Sequence, residues 1–217
     1  YGQNAYYGDF RFVKGTAVYS GNFTPPSGPL TLTGGTYPSN TNVNTSIPSG
    51  NTKLLTANEG SYDDDSSSNH TLTAAGTVSL AGGIEGAPAD LSSSSHSLSL
   101  NGDTTHTYVT PFAQGQGGSV LFYNAGYHYM QVASSTDFTL GTGDFTIEFW
   151  AYPSNFTNRG TFYDSRPSSG TTGITIGHEA SSGEIRVYMN ASSGSDIAVQ
   201  STDFNTGSWQ HVAVTRE

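Results

Sequence analysis

The sequence contains no cysteine. That excludes a disulfide scaffold, and it favours a bacterial or viral product over a secreted eukaryotic module, which at this size would often carry a disulfide. Charge is also scarce: 11% of the 217 residues are charged, with 7 Lys and Arg against 17 Asp and Glu, where soluble domains usually hold about a quarter. The basic residues are scattered singly and the formal charge is −10. Nucleic-acid binders concentrate Lys and Arg, which argues against a phosphate-backbone partner, and the acidity reads as a means of staying soluble. No run approaches the roughly 18 apolar residues of a membrane span. The chain opens at Tyr1 without a signal-peptide pattern, and Arg216 and Glu217 run straight out of a strand pattern. It reads as an excerpt of something longer.

Helical periodicity is almost absent too. Gly and Pro punctuate the chain, and β-branched and aromatic runs lie between them, which predicts an all-β fold. The strongest strand candidates are SVLFY (119–123), YMQV (129–132), DFTIEFWAY (144–152), GTFYDS (160–165), GITIGH (173–178), EIRVYMN (184–190), IAVQS (197–201) and WQHVAVTR (209–216). Short strands at this spacing suggest an antiparallel sandwich. Near the start, DFRFVKGTAVYSGNF (9–23) alternates, with Phe10 and Phe12 on one face and Asp9 and Arg11 on the other. One face of that strand must be buried, yet the eight residues before it cannot supply a core.

Residues 20–50 are rich in Pro, Gly, Thr and Asn and cannot bury enough apolar surface to fold alone; they read as a linker, ordered by contact with neighbours if at all. An internal repeat follows. DDSSSNHTLTAAGTV (64–78) aligns with DLSSSSHSLSLNGDT (90–104), bringing Asp64, His70, Leu72 and Gly76 into register with Asp90, His96, Leu98 and Gly102. Each copy reads as a turn, a short alternating strand and a Gly turn. Two copies are too few for a solenoid, so the expectation is short β-hairpin elements.

From about residue 111 the chain resembles the opening of a laminin G-like, concanavalin A-type sandwich. The resemblance is carried by PFAQGQGGSVLFYNAGYHYMQVASSTDFTLGTGDFTIEFWAYPS (111–154) and GSWQHVAVTRE (207–217). Residues 8–30 resemble the ending of such a repeat, and residues 52–78 the tail that follows it. Tandem repeats of this kind resemble those in structural proteins of tailed phages, notably marine cyanophages. The order is inverted, an ending first and a beginning last. The resemblance implies a jelly-roll sandwich that lacks its closing strand. It divides the chain into a repeat ending (1–30), a Ser/Thr/Gly-rich linker with the two repeated elements (31–110) and a repeat opening (111–217). An opening without its closing strand exposes a long edge, and 9–19 is a closing strand without a sheet. The two needs are complementary, within one chain or between copies by strand addition; the alternative is that each end belongs with residues outside the sequence.

Concanavalin A-type sandwiches include glucanases, which need two carboxylates about 5 Å apart for retention. Asp144, Thr146, Glu148 and Trp150 share a face, but Asp144 and Glu148 lie roughly 13 Å apart along the strand and Thr146 stands between them. No catalytic residue is assigned. Ser, His and Asp are present without a G-x-S-x-G elbow. His70 and His96 suit turns, and His211 suits packing beside Trp209. No His or Cys set has zinc spacing, and no cofactor is assigned. Calcium enters through the resemblance, since many laminin G-like domains hold it at the sandwich rim. Its candidate ligands are Asp63, Asp64 and Asp65, which lack the spaced D-x-D-x-D-G arrangement. Where relatives often read F-D-G-x-x-D-Y, this chain reads Phe122 to His128 without either acid. Sequons at Asn22, Asn44, Asn69, Asn155 and Asn190 are expected by chance in such a composition. Aromatic rings can stack on sugars, which makes Tyr127, His128 and Tyr129 the candidate ligand-binding residues.

The functional expectation is a structural and binding module on a virion surface, in a fibre or capsid appendage. Its partners would be other copies, other virion proteins and host glycans, with no nucleic acid and no membrane insertion. The alternative is a secreted bacterial adhesin or carbohydrate-binding module; an enzyme is not expected.

Overall fold

A computed structural model describes residues 5–57, 63–75, 78–81, 111–112, 119–122, 129–132, 135–167, 172–189 and 204–217. Its strands are β1 (Ala5–Lys14), β2 (Thr52–Thr56), β3 (Leu72–Ala75), β4 (Val78–Ala81), β5 (Ser119–Phe122), β6 (Tyr129–Val132), β7 (Phe145–Pro153), β8 (Gly160–Asp164), β9 (Ile174–His178), β10 (Ile185–Met189) and β11 (Gln210–Arg216). Every strand pairing is antiparallel. A six-stranded sheet runs β11-β7-β1-β5-β4, with β2 also on β1; β10-β9-β8 form a second sheet and β3-β6 a third. The fold is all-β, as expected. The proposed strand at 197–201 and the second repeat copy, His96 included, lie outside the described residues. In the first copy, β3 does not form a hairpin with β4: it pairs with β6, while β4 pairs with β5.

β1 occupies the middle of the large sheet. One edge pairs with β7 over almost its whole length, from Ala5 opposite Pro153 to Lys14 opposite Phe145. The other edge pairs with β5 through Ala5–Tyr7 and with β2 from Phe10 onward. The hand-over falls at Asp9, whose φ of 50° is left-handed backbone that Asp tolerates better than most residues. The Asp9 N–H donates to Ala57 O at 2.9 Å, and its carboxylate accepts from the Leu30 N–H at 3.3 Å. The register with β7 shifts between Gly8 and Arg11, a bulge that keeps both Tyr7 and Phe10 on the core side although they are three residues apart. The closing strand therefore completes the sandwich within the same chain.

The main core lies between the two larger sheets. Phe12 of β1 and Phe145, Ile147, Phe149 and Ala151 of β7 meet Ile174 and Ile176 of β9 and Ile185 and Val187 of β10; Val212 joins from β11, with Val214 against its margin. Strict alternation in β7 puts these residues on one face, as the sequence pattern required. Each fully buried Phe contributes on the order of 2 kcal/mol.

The opposite face of the large sheet is covered as well. After β1, Gly15 turns the chain at φ 83°, and residues of the 16–51 segment fold back across the sheet. Val18, Tyr19 and Ile47 form a second cluster with Val13 of β1, and Ala213 of β11 packs against it. Polar pins fix the cover: the Val18 N–H donates to Thr146 Oγ1 at 2.8 Å, and Thr52 Oγ1 donates to Leu32 O at 2.7 Å. No helix among the described residues is long and apolar enough to cross a membrane.

Candidate functional site

The alternation that sends Phe145, Ile147 and Phe149 into the main core sends Glu148 to the other face, directly opposite Arg11 of β1 and Ala213 of β11. Neither the Arg11 nor the Glu148 side chain reaches solvent. Arg11 Nε and Nη2 donate to Glu148 Oε1 at 2.8 and 2.5 Å. The Tyr19 hydroxyl donates to Oε2, and His211 Nε2 lies 3.3 Å from that oxygen. Arg11 reaches further, from Nη1 to the carbonyls of Thr31 and Gly34 and from Nη2 to the Tyr37 hydroxyl at 3.1 Å. One guanidinium thus ties two strands and the cover together.

Burial alone would raise the Glu148 pKa, but the Arg11 charge, with His211 and Tyr19, outweighs it and holds the carboxyl at about 2. For Arg11, burial favours loss of the proton, yet Glu148 more than compensates and its pKa is raised. Burial first, and then the Glu148 charge, push the Tyr19 phenol up. At neutral pH the pair is ionised and Tyr19 keeps its proton. Asp144, the other carboxylate considered, is exposed and precedes β7. The two acids do not share an accessible site: one is at the surface, the other sealed under the cover.

The acidic run 63–65 is also built into the fold. Asp64 is 5% exposed. Its Oδ1 accepts the N–H groups of Leu55 and Ser66, and its Oδ2 accepts the Ser66 hydroxyl and the His70 N–H, at 2.8 to 3.0 Å. Such a carboxylate caps a turn and does not fit a calcium ligand, whose oxygens must face the ion. Among the described residues no group of three or more His, Cys, Asp or Glu side chains is placed to hold a metal. His70 anchors the same turn through its backbone, and its Nε2 sits 3.2 Å from Asp137, which also faces Lys53 at 3.5 Å.

Of the ligand-binding candidates, Tyr127 and His128 lie outside the described residues. Tyr129 opens β6 opposite Ala75 and is 48% exposed. Sequence reasoning missed the roles of Arg11, Tyr19 and Tyr37. A signal existed for Arg11: a cation between Phe10 and Phe12 on a buried strand needs a carboxylate partner, and within β7 that carboxylate is Glu148. Nothing in the Pro- and Gly-rich segment marked Tyr19 or Tyr37 as its companions.

Residues 124–217 match the family model of the concanavalin A-like lectin/glucanases superfamily. The matched stretch holds β6 to β11, whereas β1 and the cover, which supply Arg11, Tyr19 and Tyr37, precede it. No curated protein and no solved structure matches the chain.

Proposed function

We propose that the chain is a structural and binding module of a virion surface protein, a fibre or capsid-attached appendage that presents rigid β-sandwiches and grips host glycans. The observation that carries this reading is the Glu148 cluster. In the stretch that matches a superfamily of lectins and glucanases, the buried carboxylate of β7, Glu148, is bound to Arg11 and Tyr19 and closed off from solvent. It fastens a rigid unit and does not face substrate, which supports a non-catalytic reading of the module. The laminin G-like kinship of the matched stretch supports binding as its activity. The virion context rests on the resemblance to tandem phage repeats, the absence of cysteine and the Ser/Thr/Asn/Gly-rich composition.

The test is mass spectrometry of density-purified particles from a culture expressing the full gene. Peptides of this chain should band with the particles. Their confinement to the soluble secreted fraction would overturn the virion reading in favour of a secreted adhesin or carbohydrate-binding module.

A further inference from the structure

At one end of the large sheet, on the face turned away from the main core, the chain gathers aromatic side chains. Tyr6 of β1 stands directly opposite Tyr152 of β7, and Trp209, just before β11, closes a triangle with them. The ring centroids are 5.9 Å apart for Tyr6 and Tyr152, 5.7 Å for Tyr152 and Trp209, and 6.4 Å for Tyr6 and Trp209. All three are half-buried, so each ring is held by its neighbours and keeps part of its surface in solvent.

The surroundings are unusual for a chain of net charge −10. Residues 5–8, 149–158 and 204–210, which build this end, contain no Asp, Glu, Lys or Arg. The rim is made of exposed hydroxyl and amide side chains, among them Ser154, Asn205 and Ser208. The loop carrying Trp209 is set in advance: the Asn205 N–H donates to Gln210 Oε1 at 2.9 Å, Gln210 Nε2 donates back to Asn205 O at 2.5 Å, and the Gly207 N–H, at a residue with φ 74°, donates to Pro153 O at 2.9 Å.

We infer that this patch is a binding site for neutral pyranose glycans, an inference that rests on the adhesion reading above and gives it a location and a ligand class. A pyranose ring presents a face of C–H groups that lies on an aromatic ring, and its hydroxyls at the periphery pair with uncharged donors and acceptors such as those of the rim. A sialylated or sulfated glycan would find no cation in these three segments. Rigid loops lower the ordering cost of binding. Tyr129, although more exposed, has no such aromatic partners among the described residues.

The experiment uses the whole chain on an array of neutral oligosaccharides (β-1,4-glucose, α-mannose and β-galactose series) beside sialylated and sulfated ones. Retention is expected on neutral probes, with about tenfold weaker binding for Trp209→Ala and for Tyr152→Ala, none for Tyr129→Ala, and unchanged melting for each. Should Trp209→Ala fail to fold, Ser208→Glu serves instead, placing a charge on the exposed rim, and the Trp209 fluorescence of a Trp150→Phe chain should shift as the retained oligosaccharide is added. Neutral binding that survives these changes, or that is lost in Tyr129→Ala, overturns the site while leaving adhesion intact. Binding confined to acidic probes overturns the neutral ligand class. No binding to any probe removes the site and the glycan part of the proposed function together, but not the virion assignment, which the particle measurement decides separately.

Discussion

Glu148 and Arg11 form a charge pair from which water is excluded, so neither can lose its partner cheaply. Removing one member of a buried pair typically costs about 3–5 kcal/mol. Glu148→Gln should therefore lower the urea midpoint sharply. Arg11→Met paired with Glu148→Leu should recover only part, because Arg11 also satisfies the carbonyls of Thr31 and Gly34. The pH dependence follows from the depressed Glu148 pKa, about 2 against an ordinary value of 4.5. Its contribution is present in full above pH 4.5 and disappears as pH falls through 2. By linkage this amounts to on the order of 3 kcal/mol. Stability measured from pH 6 to pH 2 should fall more steeply for the native chain than for Glu148→Gln; parallel curves would contradict this. The sequence made the position of Glu148 legible, since alternation in DFTIEFW puts it opposite the phenylalanines. Its partner was not legible, because Arg11 lies 137 positions away and only the strand pairing brings the two together.

At the scale of the element, β7 was readable because both its faces obey period two, and the structure confirms Phe145, Ile147 and Phe149 in the core. Ile147→Asp should prevent folding, since a charge would enter a site with no partner; a soluble variant with a cooperative melt would mean a register slipped by one residue. β9 makes a different demand. A Cβ on Gly177 would lie 2.5 Å from the Gly160 carbonyl oxygen of β8, a backbone atom that cannot step aside. Gly177→Ala should destabilise by about 1–3 kcal/mol, measured by chemical denaturation; a neutral result would show that the β8–β9 pairing is looser than described. The bulge at Gly8–Asp9 escaped sequence reasoning. FRF alternation is unbroken in that segment, and the positive φ of Asp9 is imposed by Ala57 and Leu30, both distant in the chain.

At the scale of the molecule, the large sheet is buried on both faces by parts of the chain with opposite legibility. The core side follows from apolar alternation. The cover does not, because 16–51 has the composition of a linker and its order comes from pins such as Thr146 and Arg11 on the sheet beneath. The same holds for closure: a strand at one end of the sequence fills the middle of a sheet built mainly from the other end, as complementary needs suggested, while the choice between closure in one chain and exchange between copies required the pairing itself. That closure can be tested directly. Val13 and Thr146 are opposite each other in β1 and β7 and fully buried, close enough for a cross-strand disulfide, and the chain has no other cysteine. Air oxidation of the Val13→Cys, Thr146→Cys chain should give a monomer in which peptide mapping joins the β1 and β7 peptides. Free thiols after oxidation, or linkage found only in dimers, would contradict closure within one chain.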